Sequence, residues 1–431
     1  MSAASELWGA LPAAFASVFT APSAALFEQF VTAWVLCPGR RTVTRMIAMI
    51  DPRSRRSHDA YHRFLRCGAW SLGGLWHLMA IVLLEAFFSE ELLPLDLDDT
   101  LFHKSGRKIE GAGTFRDAIR STGRRVVYAL GLNLVVLTVR LRAPWGGEPL
   151  GLPINVRLYR KGGPTHLDLA QEMLGEVAKW FPLRRFALAA DGAYASLAGR
   201  PLVRTSVTSR MRRDAALFDL PAPRPRGRRG RPRKKGRRLP SPTKIAAGRH
   251  VRWKTVTLEE RGRSVVRQLF AQRLLWYQVC RDQPVLLVIV RDPARKQPDD
   301  YFFTTDLAAT PEWVAEHYAG RWSIEDTFRN VKQFLGGEDP QTWKGRGPER
   351  AAALSFWIYS AVWAWYVGTQ KDRTTWNFRP WYPTKSAPSF LDAIACLRKH
   401  IWRSRIFVAS DPAPLNRKKA AFLLDALAMA A

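Results

Sequence analysis

Apolar and polar positions change their spacing along this chain, and the changes divide it. Between residues 25 and 90, Phe27, Phe30, Val31, Trp34 and Val35 recur at helical spacing. Pro38-Gly39 breaks that pattern, and Thr42 predicts the cap of a second helix running to Ile50. A further helix starts near His58 and carries Tyr61, Phe64 and Leu65. Beyond residue 90 the spacing becomes extended. Segments 92–100, 126–142 and 149–160 predict strands, 167–181 an amphipathic helix, and 185–191 a fourth strand. Four more strands are predicted at 251–258, 265–276, 284–290 and 300–304. Thr310-Pro311-Glu312 then opens a helix with proline at its first position. Helical spacing returns at 348–367 and along the tail from 386.

Charge changes this picture. The 431 residues carry a net +30 at pH 7, with a pI near 10.8, on a chain that is 47% hydrophobic. Such a chain folds, and its expected partner is a polyanion, with nucleic acid ahead of an anionic membrane. Four scattered cysteines form no CxxC pair and argue against a zinc ribbon or a disulfide framework. The longest apolar runs, 74–88 and 355–368, are too short to span a bilayer, and residues 1–30 lack a secretory pattern. A cytoplasmic protein is expected.

The basic charge peaks at 221–240, where ten of twenty residues are Lys or Arg and none is acidic. Such a segment is expected to be disordered when free. Within it, Arg229-Gly230-Arg231-Pro232, with Arg233 beside it, has the form of an AT-hook. An extended Arg-Gly-Arg can lie in a narrow A·T minor groove; the alternative is a polycationic loop that grips phosphates without reading sequence. A basic loop at 51–57 between two short helices admits docking on DNA, or a plain helical bundle with a solvated loop.

Three acids sit where phosphoryl-transfer chemistry would need them. Asp98 ends the first extended run, with Asp96 on the same face as the alternative first acid and Asp99 on the other. Asp191 ends the fourth strand. Glu325 belongs to Tyr318-x2-Arg321-x3-Glu325-x6-Lys332, whose four anchors fall within roughly 60° on one ideal helix; Gly320 admits a kink, so the shared face is firmest from Arg321 onward. Carboxylates on rigid elements can hold two divalent cations about 4 Å apart, and hard oxygen ligands select Mg²⁺ or Mn²⁺. Tyr318, Arg321 and Lys332 are candidate phosphate contacts. Lys104, with Arg107 and Lys108, is a candidate DNA contact near the first acid. Trp322 can stack on an unpaired base, or simply pack in the core.

The Tyr-Arg-Glu-Lys spacing resembles the signature of a large group of bacterial insertion-sequence DDE transposases. Asp98-Asp99-Thr100 with Lys104 and Gly106, and Ala190-Asp191-Gly192-Ala193-Tyr194, are similar to that family's two aspartate motifs. The element order fits the start of an RNase H-like fold. The expected fold is therefore α/β: a mixed-sheet catalytic core interrupted by a β-rich insertion and preceded by an N-terminal helical domain. The divisions are 1–90 helical and DNA-binding, 91–210 first part of the core, 211–248 a basic Pro/Arg-rich disordered loop, 249–308 the β-rich insertion, 309–370 second part of the core with the Glu325 helix, and 371–431 a C-terminal helical region. The resemblance implies Asp98, Asp191 and Glu325 as a catalytic triad holding two Mg²⁺, with Mn²⁺ able to substitute. It further implies terminal inverted repeats and target double-stranded DNA as partners, and a homodimer as the active form in the nucleoid. The alternatives are a catalytically inactive DNA-binding protein and a nuclease without strand transfer.

Overall fold

The computed structural model describes residues 8, 10, 13–53, 56–222, 233–369, 380–407, 423, 424 and 427. Four helices lead: α1 (Ala21–Leu36), α2 (Val43–Ile50), α3 (His58–Cys67) and α4 (Leu72–Phe87). The Thr42 side chain accepts from the Arg45 amide at the start of α2, as its position predicts. Strands β1 (Leu92–His103), β2 (Gly113–Arg116), β3 (Tyr128–Leu141) and β4 (Leu150–Tyr159) follow, then α5 (His166–Trp180), β5 (Arg185–Ala190) and β6 (Thr205–Arg210). A small pair, β7 (Leu217–Phe218) and β8 (Arg238–Leu239), precedes β9 (Lys254–Glu260), β10 (Arg263–Leu274), β11 (Val285–Arg291) and β12 (Asp300–Thr304). The chain continues through α6 (Pro311–Gly320), α7 (Trp322–Gln333), α8 (Gly347–Thr369) and α9 (Phe390–Phe407).

The large sheet is mixed. Its order is β2-β3-β1-β5-β6-β12-β11-β10-β9, with β4 paired to β3. β1 is antiparallel to β3 and parallel to β5, and β5 is parallel to β6. Strands β9–β12, expected as an insertion, continue this sheet through the antiparallel pairing of β12 with β6. That extension is closed by a small core in which Leu258, Val288 and Phe302 pack against Val314 and Tyr318 of α6. The joining strand β6 carries Thr205-Ser206-Val207-Thr208-Ser209-Arg210, a polar run without the apolar signal of its neighbours.

Alternation along β1 places its two faces in different layers. Phe102 stacks on Phe356 of α8, on the face that also holds Asp96 and Asp98. Asp99 faces the other way, accepting from Tyr194 and from Asn133. The leading helices join the α8 side. Trp357 of α8, fully buried, meets Phe15 and Phe27 edge-on. Arg350 of α8 donates to the carbonyls of Phe64, Leu65, Gly68 and Trp70, so one buried guanidinium caps the C-terminal end of α3. Among the described residues no single helix is long and apolar enough to cross a membrane.

Candidate active site

Parallel pairing of β1 with β5 sets Leu97 opposite Ala190, so Asp98 and Asp191 stand at one level on adjacent strands. Asp98 does not end its strand as expected: β1 stays paired with β3 as far as His103, whereas Asp191 follows the last residue of β5. Glu325 reaches the same place from α7. The link is Arg321. Its Nη1 lies 2.7 Å from Asp98 Oδ2 and its Nη2 lies 2.8 Å from Glu325 Oε1. Asp191, Arg321 and Glu325 line a cavity of about 690 Å³ together with Tyr318, Trp322 and Arg210.

The electrostatics follow from burial. Burial pushes the Asp98 carboxyl up to about 7; Arg321 pulls it down, while Asp99 and Asp191 push it up. For Arg321, burial disfavours the charge, but Asp98, Tyr318 and Glu325 outweigh it and hold the guanidinium above its ordinary value. Tyr318 is buried, with its ring stacked on Phe302 at 4.3 Å and the Arg321 guanidinium 5.5 Å from its centroid.

One helical face does not carry all four anchors; the helix is interrupted beside Gly320, where a kink is expected. The helix breaks at Arg321, where α6 ends and α7 begins. Gly320, beside the break, leaves room for Arg140: a Cβ there would come 2.5 Å from its Nη1. Arg140, on β3, is bound to Asp96 by two hydrogen bonds, one of them 3.1 Å from Nε. Ser323 Oγ of α7 also donates to Asp96, at 3.1 Å, and Arg140 lies 3.3 Å from His317 Nδ1. Asp96 is fully buried and committed to this network, whereas Asp98 keeps about 20% of its side chain exposed.

The other sequence candidates separate. Trp322 lies at the cavity, 37% exposed, with the Arg261 guanidinium 3.6 Å from its ring centroid. Lys332 points elsewhere: it sits over Phe102 at 5.9 Å, and burial lowers its pKa with Glu338 opposing. The Lys104 ammonium donates to the carbonyls of Glu338 and Pro340, and burial lowers it to about 8. Arg233 is exposed; Arg229 and Arg231, the centre of the AT-hook pattern, lie outside the described residues.

Several site residues had no clear signal in the sequence. Arg261-Gly262 forms the two-residue turn between β9 and β10, both residues with positive φ (53° and 69°). This tip folds back over α7 and packs on Gly147, where a Cβ on Gly262 would come within 2.5 Å of backbone. It brings Arg261 and Arg263 to the cavity. Alternation predicts the strands but not that their turn returns to the glutamate helix.

A family model described as DDE superfamily endonuclease matches residues 14–265, more than half of the chain. The chain belongs to that family. As a DDE superfamily endonuclease it acts on DNA, and the superfamily generally uses divalent metals. The matched span includes Asp98 and Asp191 and ends before Glu325. No curated protein matches the chain.

The donor chemistry suits a hard divalent cation: carboxylates only, one of them raised by burial beside two other acids. Among the described residues, no three His, Cys, Asp or Glu side chains are grouped closely enough to hold an ion as they stand. The Arg321 guanidinium supplies the positive charge between Asp98 and Glu325.

Proposed function

We propose that this DDE superfamily endonuclease is a DNA transposase that cuts at transposon ends and joins the freed strands to target DNA. The observation that carries the reading is the meeting of Asp98 and Glu325 on the Arg321 guanidinium, with Arg321, Glu325 and Asp191 lining a cavity walled by arginines. Asp98, Asp191 and Glu325 would hold two Mg²⁺ ions, or Mn²⁺ in their place. When bound, such ions activate the attacking oxygen and stabilise the leaving one.

The chain's own groups have separable tasks. Arg321 exchanges carboxylate partners for a DNA phosphate, to which its fork is equally suited. Arg210 and Arg263 line the same wall and add phosphate contacts. Trp322, already stacked beneath Arg261, offers a flat face to an unpaired base. Arg140, Asp96 and Ser323 hold the helix break that aims Arg321 and Glu325.

The deciding experiment uses labelled duplex carrying the element's own ends, with Mg²⁺ or with EDTA. The expected outcome is Mg²⁺-dependent nicking at the repeat boundary, followed by strand joining to a second duplex. Glu325→Gln should abolish nicking and leave binding of the ends intact. Nicking by Glu325→Gln at the wild-type rate would sink the triad. Cleavage without joining would favour a nuclease, and binding without cleavage an inactive DNA-binding descendant.

A further inference from the structure

The segment between β1 and β3 forms an arm that the chemistry above does not use. β1 continues past Asp98 to His103, and β3 begins at Tyr128 with β2 paired alongside at Gly113↔Gly131 through Arg116↔Tyr128. At about 3.3 Å per residue, His103 stands roughly 16 Å beyond Asp98, near half a turn of duplex DNA. The tip closes on itself. Asp117 N donates to Val127 O at 2.8 Å, and Thr122 and Arg125 exchange backbone hydrogen bonds.

The arm is braced at its root. His103 is held between two carboxylates, with Nε2 2.8 Å from Asp117 and Nδ1 3.1 Å from Glu338. Asp117 is buried and also accepts from the Ile119 and Arg120 amides, both at 3.1 Å. Glu110 accepts from the Gly345 amide at 2.7 Å. These contacts occupy both acids of residues 104–128.

Apart from Lys104, which is turned onto the Glu338 and Pro340 carbonyls, the cations of the arm face outward. Arg107, Lys108, Arg116, Arg120, Arg124 and Arg125 are exposed. Arg120 lies 3.4 Å from Asp117; among the described residues none of the other five is in a salt bridge. Beside them, Ile119, Val126 and Tyr128 are 81%, 52% and 66% exposed. A second copy of a chain with net charge +30 is a poor occupant for this surface. A polyanion fits its charge, and exposed apolar side chains among arginines suit the edge of a groove.

We infer that residues 104–128 form a braced arm that grips the backbone of double-stranded DNA flanking the bond held at Asp98, Asp191 and Glu325. This rests on the DNA-cutting reading of that site and adds to it a contact surface outside the cavity. Each phosphate neutralised by the arm contributes about 0.9 to the slope of log affinity against log salt.

The test measures binding of the full chain to a fluorescent duplex of arbitrary sequence, by anisotropy, across a range of KCl concentrations. Arg116→Gln/Arg124→Gln/Arg125→Gln should weaken binding and reduce the slope by about two to three. Its melting curve should match wild type, because none of the three side chains is in a salt bridge among the described residues. Arg124→Glu/Arg125→Glu should weaken binding further. If wild type binds and both variants keep its affinity and slope, the arm does not touch DNA. A change in oligomeric state at unchanged DNA affinity would assign the surface to a second copy and overturn the inference. Absence of any salt-dependent binding by wild type would overturn the functional reading itself, and the arm with it.

Discussion

Asp96 and Asp98 stand two residues apart on one face of β1, and their surroundings give them different tasks. Asp96 is sealed against Arg140 and Ser323, while Asp98 is part-exposed and paired with Arg321, which lines the cavity. Strand alternation makes their shared face legible from the sequence. It cannot rank them, because Arg140 is 44 residues away and Ser323 is 227. The pair of Asn substitutions separates the roles. Asp96→Asn leaves the buried Arg140 without its counter-charge and should cost about 3–5 kcal/mol of stability, read as a shift in the urea midpoint. Asp98→Asn should abolish Mg²⁺-dependent nicking while the urea midpoint stays near wild type. Full nicking by Asp98→Asn would move the first acid elsewhere. Gly320→Ala tests the geometry between them: its Cβ would strike the Arg140 guanidinium, so nicking should fall while DNA binding persists.

At the scale of elements, local capping chemistry was readable and distant closure was not. Thr42 and Thr310 each accept from the amide three residues on, as their positions predict. By contrast the sequence reading places no element at β6, where four of six residues are Ser or Thr; it is a strand between β5 and β12, paired on both edges. The single helix of residues 318–332 is interrupted at Arg321, beside Gly320, which leaves room for the guanidinium of Arg140 from another strand. Arg350 shows the same principle in the helical layer. Its guanidinium satisfies four carbonyls around the end of α3, one hydrogen bond each. Arg350→Ala should therefore lower stability by roughly 2–4 kcal/mol: the Phe64 and Gly68 carbonyls keep donors from Trp70, but those of Leu65 and Trp70 lose theirs. Arg350→Lys should recover only part of that, because one ammonium cannot reach all four. Equal stability of Arg350→Ala and wild type in a denaturant titration would contradict this.

At the scale of the molecule, the leading helices share one core with the sheet. Phe15 and Phe27 close on Trp357, Trp34 Nε1 donates to the Leu335 carbonyl at 2.8 Å, and Arg398 of α9 donates to the Val35 carbonyl at 2.7 Å. Residues far apart in sequence thus complete each other's helix ends and apolar faces. Removing one side of that contact exposes an apolar aromatic face on the other. Unfolding in urea should then be a single transition, coincident by far-ultraviolet and near-ultraviolet circular dichroism. Trp357→Ala deletes a side chain that both halves bury and should cost about 3–5 kcal/mol. The discriminating feature is what moves. In a shared core both optical signals shift together to a lower midpoint with an unchanged slope. Two resolved transitions, only one of them displaced by Trp357→Ala, would show instead that the N-terminal helices fold as their own unit and merely lean on the sheet.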